Sequence, residues 1–184
     1  MAKNRQDPRV QRTRKLLQEA LISAVTEKGY EATTVQDILD RAKVGRATFY
    51  AHFADKETLF HSRLEDLRIF IGEQQRHAPT RLGFSLVMLE HARENLRLWE
   101  AIAGRQSGSF ALQRIQQMIA DLAALDLKAH PFPGTREQRE QAAQCVAGAF
   151  MAVFQWWVDR GAKPAATEVD ALFRRLVLRG LEAS

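Results

Sequence analysis

Leu17, Ala20, Leu21, Ala24 and Val25 recur three and four residues apart, the spacing that gathers side chains on one face of an α-helix. They predict a first helix from near Pro8 or Val10 to Lys28, stopped by Gly29. Val35, Ile38, Leu39 and Ala42 form a second, shorter stripe, with Thr33 or Thr34 as its cap. After Lys43-Val44-Gly45, too short a link for anything but a turn, Phe49 and Phe53 face inward from a third helix. On that helix Ala47, Thr48, Tyr50 and Ala51 point outward, and Arg46 and His52 lie on the flanks. Two short helices and a tight turn, braced by a longer helix, predict a helix-turn-helix head.

The pattern continues without a strand signal. Asp55 is the residue type that opens a helix, and Leu59, Phe60, Leu64, Leu67, Phe70 and Ile71 carry it to about Gln75 as a long connecting rod. Residues 77 to 80 break the period. It resumes from Arg81 to about Arg93 with Leu82, Phe84 and Met88, breaks at Glu94-Asn95, and runs through Leu96, Trp99 and Ile102 to Gly104. Gly108-Ser109 starts another helix, and His130 to Gly134 is a loop.

The last two helices, Thr135 to Arg160 and Thr167 to Leu181, carry more apolar and small-residue surface than one small domain needs. They predict a four-helix homodimer interface through Ala147, Met151, Phe154, Trp157, Leu172, Phe173, Leu176 and Gly180, with burial inside one subunit as the alternative. The expected fold is therefore all-α with about nine helices. Residues 1–55 form a DNA-binding head with a basic arm, and residues 56–184 a helical regulatory and dimerisation domain.

Charge sharpens the picture of the head. Residues 1 to 56 hold 11 Lys and Arg against 7 acids, whereas the remainder is nearly balanced at 16 against 15. Lys3, Arg5, Arg9, Arg12, Arg14 and Lys15 face Asp7 alone, the asymmetry of an arm that approaches phosphates, or else of a solvated terminus. The outward face of the third helix is almost free of acid, as a surface meeting phosphates must be.

Apolar residues make up 46% of the chain without a run of 18, and the N-terminus lacks the apolar core of a signal peptide. No membrane contact and a cytoplasmic location are expected. Cys145 has no partner for a disulfide or metal spacing and is expected in the core. His91 and Glu94 stand three apart but lack a second histidine, so no metal or other cofactor is expected. No nucleophile elbow, phosphate loop or HExxH motif suggests an enzyme.

The run Thr34-Val35, Ile38, Ala42, Val44, Thr48-Phe49-Tyr50, His52-Phe53, Lys56-Glu57 and Leu59 resembles the DNA-binding head of the TetR family of bacterial transcriptional regulators. The resemblance is specific over residues 10 to 60 and implies a dimer that binds a palindromic operator, usually to repress, and releases it when a small molecule enters the C-terminal domain. By position it implies that Arg46, Ala47 and Thr48 meet base edges and that Gln36 reaches a base or phosphate. It gives the backbone to Thr34, Tyr50, His52 and Lys56. Arg46 suits a bidentate contact to guanine, with a phosphate contact as the alternative.

Lys43 stands where the family's turn often has glycine, which predicts a left-handed residue at a cost of about 1 kcal/mol. Gly45 stands where it often has a capping serine. For an effector pocket the large or soft groups are Phe84, Met88, Trp99, Phe110, Met118 and Phe150, with His91 as a polar handle. The competing reading is a non-enzymatic helical module that binds DNA or acidic surfaces without an effector.

Overall fold

The computed structural model describes residues 7–77, 80–103, 109–130 and 133–182, and among these every regular element is helical. The elements are α1 (Pro8–Lys28), α2 (Val35–Ala42), α3 (Arg46–His52), α4 (Lys56–His77), α5 (Phe84–Glu94), α6 (Leu96–Ala103), α7 (Ser109–Ala129), α8 (Arg136–Val158) and α9 (Ala166–Glu182). No helix among the described residues is long and apolar enough to cross a membrane. Lys3, Arg5, Gly104 and Gly108 lie outside the described residues.

Local chemistry sets the boundaries of the head. Asp7 caps α1 by accepting the Arg9 N–H at 2.8 Å, and Gly29 ends it at φ 81°, a value that favours glycine. Of the two threonines, Thr34 is the cap of α2. Its hydroxyl accepts the Asp37 N–H at 3.2 Å while the Asp37 carboxylate accepts the Thr34 N–H at 2.7 Å. Thr33 is buried instead, donating its hydroxyl to the Gly29 carbonyl at 2.7 Å. Asp55 caps α4 by accepting the Thr58 N–H at 2.6 Å.

The Lys28 ammonium lies 2.7 Å from Asp37. Its hydrogen bond, followed by those of Thr34, holds the Asp37 carboxyl well below the usual carboxylate range. A depressed carboxyl contributes stability that is complete above the ordinary value of about 4 and is lost as pH falls through the folded value. The gap in melting temperature between wild type and Asp37→Asn should therefore be open at pH 7 and narrow below about pH 4.

One element starts later than its periodicity suggests. Leu82 is fully buried, yet it sits in a turn at φ 55° and α5 begins only at Phe84. The cause is a buried polar pair of contacts: the Asp126 carboxylate accepts the Leu82 N–H at 2.7 Å, and the Ser85 hydroxyl bonds the Leu82 carbonyl at 2.8 Å and also Asp170. Burial of Leu82 produced the helix-like spacing; the side chains that hold its backbone lie 44 and 3 residues away.

An aromatic core fills the C-terminal helices. Phe150 of α8 meets Phe84 of α5 at 5.7 Å and Phe173 of α9 at 5.4 Å, while Phe154 carries the contact on to Trp99 of α6 at 5.2 Å. The head joins this core through Tyr30, whose ring stacks on Phe110 of α7 at 5.5 Å and meets Phe60 of α4 at 4.7 Å. Burial pushes the Tyr30 phenol up, so it stays neutral.

Candidate nucleic-acid interface

The turn between α2 and α3 takes its shape from Lys43, which adopts the left-handed conformation at φ 54°, ψ 42°. Gly45 is the N-cap of α3 in ordinary extended backbone, and a Cβ there would meet nothing within 4 Å. Its missing cap is thus a matter of side chain rather than of space. Only Phe49 of the seven residues of α3 is buried, and Phe53 follows it inward at a ring distance of 6.2 Å. That pair pins the helix with Arg46, Ala47 and Thr48 exposed. Tyr50 is 51% exposed and set edge-on against Phe49 at 5.3 Å, and His52 is half-buried beside Phe53.

Two cations beside α3 are engaged within the protein. The Lys56 ammonium donates to the carbonyls of Tyr30 at 2.9 Å and Thr33 at 2.8 Å and lies 4.2 Å from the centre of the Tyr30 ring. Burial lowers its pKa. The first residue of α4 is thereby fastened to the turn between α1 and α2. Arg14 lies 4.5 Å over the Phe53 ring and donates to the Ser62 hydroxyl at 3.0 Å, so it braces α3 against α4. Arg9, Arg12 and Lys15 remain exposed along α1.

On α2, Thr34 is held in its capping box. Gln36 is exposed and donates to the Asp40 carboxylate at 2.8 Å, while Arg46 donates to the Gln36 carbonyl oxygen at 3.2 Å. Asp40 was not among the residues singled out by the sequence, although its i, i+4 spacing from Gln36 is the signal that could have found it.

The seven pocket residues do not surround one space. Phe84, Met88, Trp99, Met118 and Phe150 are buried, and His91 and Phe110 are half-buried. Phe84, Phe150, Trp99 and His91 are linked ring to ring, the last two at 6.0 Å, with Phe154 between Phe150 and Trp99. Phe110 turns instead to Tyr30, and Met118 lines a separate cleft of about 50 Å³ with His61 and Arg68. Within the protein, His91 Nδ1 and Trp99 Nε1 are buried and have no hydrogen-bond partner. Burial, then Arg63, lowers the His91 pKa and favours the neutral ring.

The dimer residues divide as well. Ala147, Met151, Phe154, Trp157 and Phe173 are buried in the subunit's own core, Phe154 against Trp99 of α6 and Phe173 against Phe84 of α5, and so present nothing outward. Leu172, Leu176 and Gly180 are exposed, as is Trp156. Cys145, expected in the core, is exposed on α8 between Gln144 and Gly148, on the side its neighbouring helices leave uncovered. No cluster of three or more His, Cys, Asp or Glu among the described residues could hold a metal.

Comparison with known proteins agrees with this geometry. Residues 17–62 match the family described as bacterial regulatory proteins, tetR family. An uncharacterized HTH-type transcriptional regulator, YxbF, of Bacillus subtilis (strain 168) is 42% identical over 87 residues, which are 47% of this chain and 23% of that protein. The chain thus matches less than a quarter of that curated relative's length.

Among solved structures, a TetR transcriptional regulator from Streptococcus agalactiae 2603V superposes with a TM-score of 0.71 at 24% identity, covering 92% of this chain and 95% of the other. FadR from Bacillus subtilis, in complex with stearoyl-CoA, gives 0.62 at 17% identity, covering 89% and 96%. At these identities the likeness shows the fold. The chain is thus similar to the tetR family of bacterial regulatory proteins, in sequence over residues 17–62 of its head and in fold over most of its length.

Proposed function

We propose that the protein is a transcriptional regulator that binds a palindromic operator as a homodimer, represses from it, and lets go when a small molecule binds its C-terminal domain. The observation that carries this reading is α3, held by buried Phe49 and Phe53 with an outward face of Arg46, Ala47, Thr48, Tyr50 and Ala51 that contains no carboxylate. Such a helix enters the major groove with its first residues at base edges. Arg46, Ala47 and Thr48 then read bases, and Gln36 approaches beside Arg46. Thr34, Tyr50 and His52 lie toward phosphates. Lys56 keeps one N–H for a phosphate after serving two carbonyls. Like other regulators of chromosomal DNA, it works in the cytoplasm.

The exposed faces of α8 and α9 support the dimer. Gly148, Ala149, Ala152 and Trp156 on one, with Leu172, Leu176 and Gly180 on the other, would let two copies approach closely. Support for an effector comes from the aromatic interior and its two unpartnered polar atoms at His91 and Trp99. Stearoyl-CoA is the ligand of the Bacillus protein, and the chemical class bound by this chain is a separate question.

Selection of bound sequences from random duplexes tests the reading. A palindrome with half-sites about one helical turn or slightly more apart supports it, and an unstructured pool overturns it in favour of a non-specific helical module. Arg46→Ala should weaken binding to the selected operator by about 1 to 3 kcal/mol, far more than it weakens binding to random DNA. Titration by gel shift at fixed salt measures both.

A further inference from the structure

We propose that Asp40 sets the base preference of Arg46 by fixing the orientation of Gln36, without itself touching DNA. The inference rests on the DNA-reading function proposed above. Gln36 and Asp40 stand one turn apart on the exposed edge of α2, and Arg46 opens α3 across the turn. The Gln36 amide nitrogen donates to Asp40 Oδ1 at 2.8 Å, and Arg46 Nη2 donates to Gln36 Oε1 at 3.2 Å.

A primary amide has one accepting end and one donating end, whereas a carboxylate only accepts and a guanidinium only donates. A single amide orientation therefore satisfies both neighbours. With Asp40 in place, the Gln36 oxygen must face Arg46. Without it, the amide is free to turn and offer Arg46 a donor, which a guanidinium cannot accept. The bond to Gln36 uses one N–H of the guanidinium and leaves the rest of its planar fork for a base edge.

Arg46 is exposed and long, so in isolation it loses rotamer freedom when it meets DNA. Holding it in advance removes part of that loss, and does so only for the contact that the held geometry fits. The charge of Asp40 acts differently. A carboxylate beside the reading helix repels phosphates of every sequence alike. It is the acid nearest Arg46 in this hydrogen-bonded chain, and it lowers affinity for all DNA while sharpening one contact.

The test is base selection from random duplexes by full-length wild type, Arg46→Ala, Asp40→Ala and Asp40→Asn, with melting curves for each. The base pair whose preference disappears in Arg46→Ala marks the Arg46 position. Asp40→Ala should lower the preference at that pair by about two- to tenfold. Asp40→Asn keeps an oxygen for the Gln36 amide and should retain it. Both Asp40 variants should melt like wild type and bind random DNA more tightly.

Undiminished preference in Asp40→Ala overturns the inference, and so does equal loss in Asp40→Asn, which would point to charge rather than orientation. A wild type that selects no sequence overturns the DNA-reading function itself and this inference with it.

Discussion

Phe49→Ala is expected to destabilise the head by about 3 to 5 kcal/mol, the range for removing a fully buried large aromatic side chain. The size follows from how little else holds α3. Seven residues are too few for a helix to persist on its own in water, and Phe49 is the only one of them that is buried. Its N-cap, Gly45, brings no side-chain hydrogen bond. Loss of the ring also removes the packing partner of Phe53 and of Tyr50, at 6.2 and 5.3 Å.

Two measurements check this. Urea unfolding should show the lost stability, and amide exchange should show α3 opening first, with DNA binding lost even where the C-terminal helices remain folded. Tyr50→Ala is the contrast: the side chain is half exposed, so stability should change by no more than about 0.5 kcal/mol while affinity for DNA falls. If Phe49→Ala melts like wild type, the helix is held by something other than its buried ring.

The head was legible because its signals are local. Gly29, Thr34 and Asp55 act on backbone groups within a few residues of themselves, so a cap or a helix stop can be read from the residue type and its neighbours, as the Asp7 cap of α1 also could have been. Lys43 is the exception: its left-handed backbone, found at φ 54°, follows from the glycine that the resembling family often has there and not from its own residue type. What was not legible depends on contacts far apart in the chain. Leu82 looks helical by its apolar spacing, and of the two side chains that hold its backbone in a turn, Asp126 lies 44 residues away. Lys56 reads as a cation for phosphate; its two carbonyl partners lie 26 and 23 residues away.

The same limit governs α8. An apolar stripe shows that a face is covered but does not name what covers it, and α8 carries apolar or small residues on both sides. Ala147, Phe154 and Trp157 are buried within their own subunit, Phe154 against Trp99 of α6 and Trp157 donating to the Pro164 carbonyl, while Cys145, Gly148 and Ala152 face away. Residue type alone could not separate these sets, because Ala occurs in both.

The pinning of Lys56 also bears on regulation. Because the ammonium belongs to α4 and its acceptors to the turn between α1 and α2, a displacement of α4 carries the head with it. Tyr30 adds a second link, since its ring stacks on Phe110 of α7. An effector that reshapes the C-terminal helices can therefore act on the spacing of two heads only if the subunits are held together elsewhere.

That requirement makes the dimer surface the second large effect. Leu176→Glu combined with Leu172→Glu is expected to give a folded monomer. Leu176 is 62% exposed and Leu172 43% exposed in the single subunit, so the change removes little from its core. Burying either leucine in an interface contributes about 1.5 to 3 kcal/mol, and two-fold symmetry applies each loss twice. The introduced carboxylates would also have to be buried unpaired.

Sedimentation should show the wild type as a dimer and the double variant as a monomer at micromolar concentration, with helical content preserved. Operator affinity should fall steeply, because two half-sites then bind independently rather than at a fixed separation. Phe154→Ala is the opposite case, lowering subunit stability by about 3 to 5 kcal/mol while the molecules that remain folded still associate. A double glutamate variant that stays dimeric would place the interface on another face, and the outward stripe of Gly148, Ala152 and Trp156 on α8 would then need a different partner.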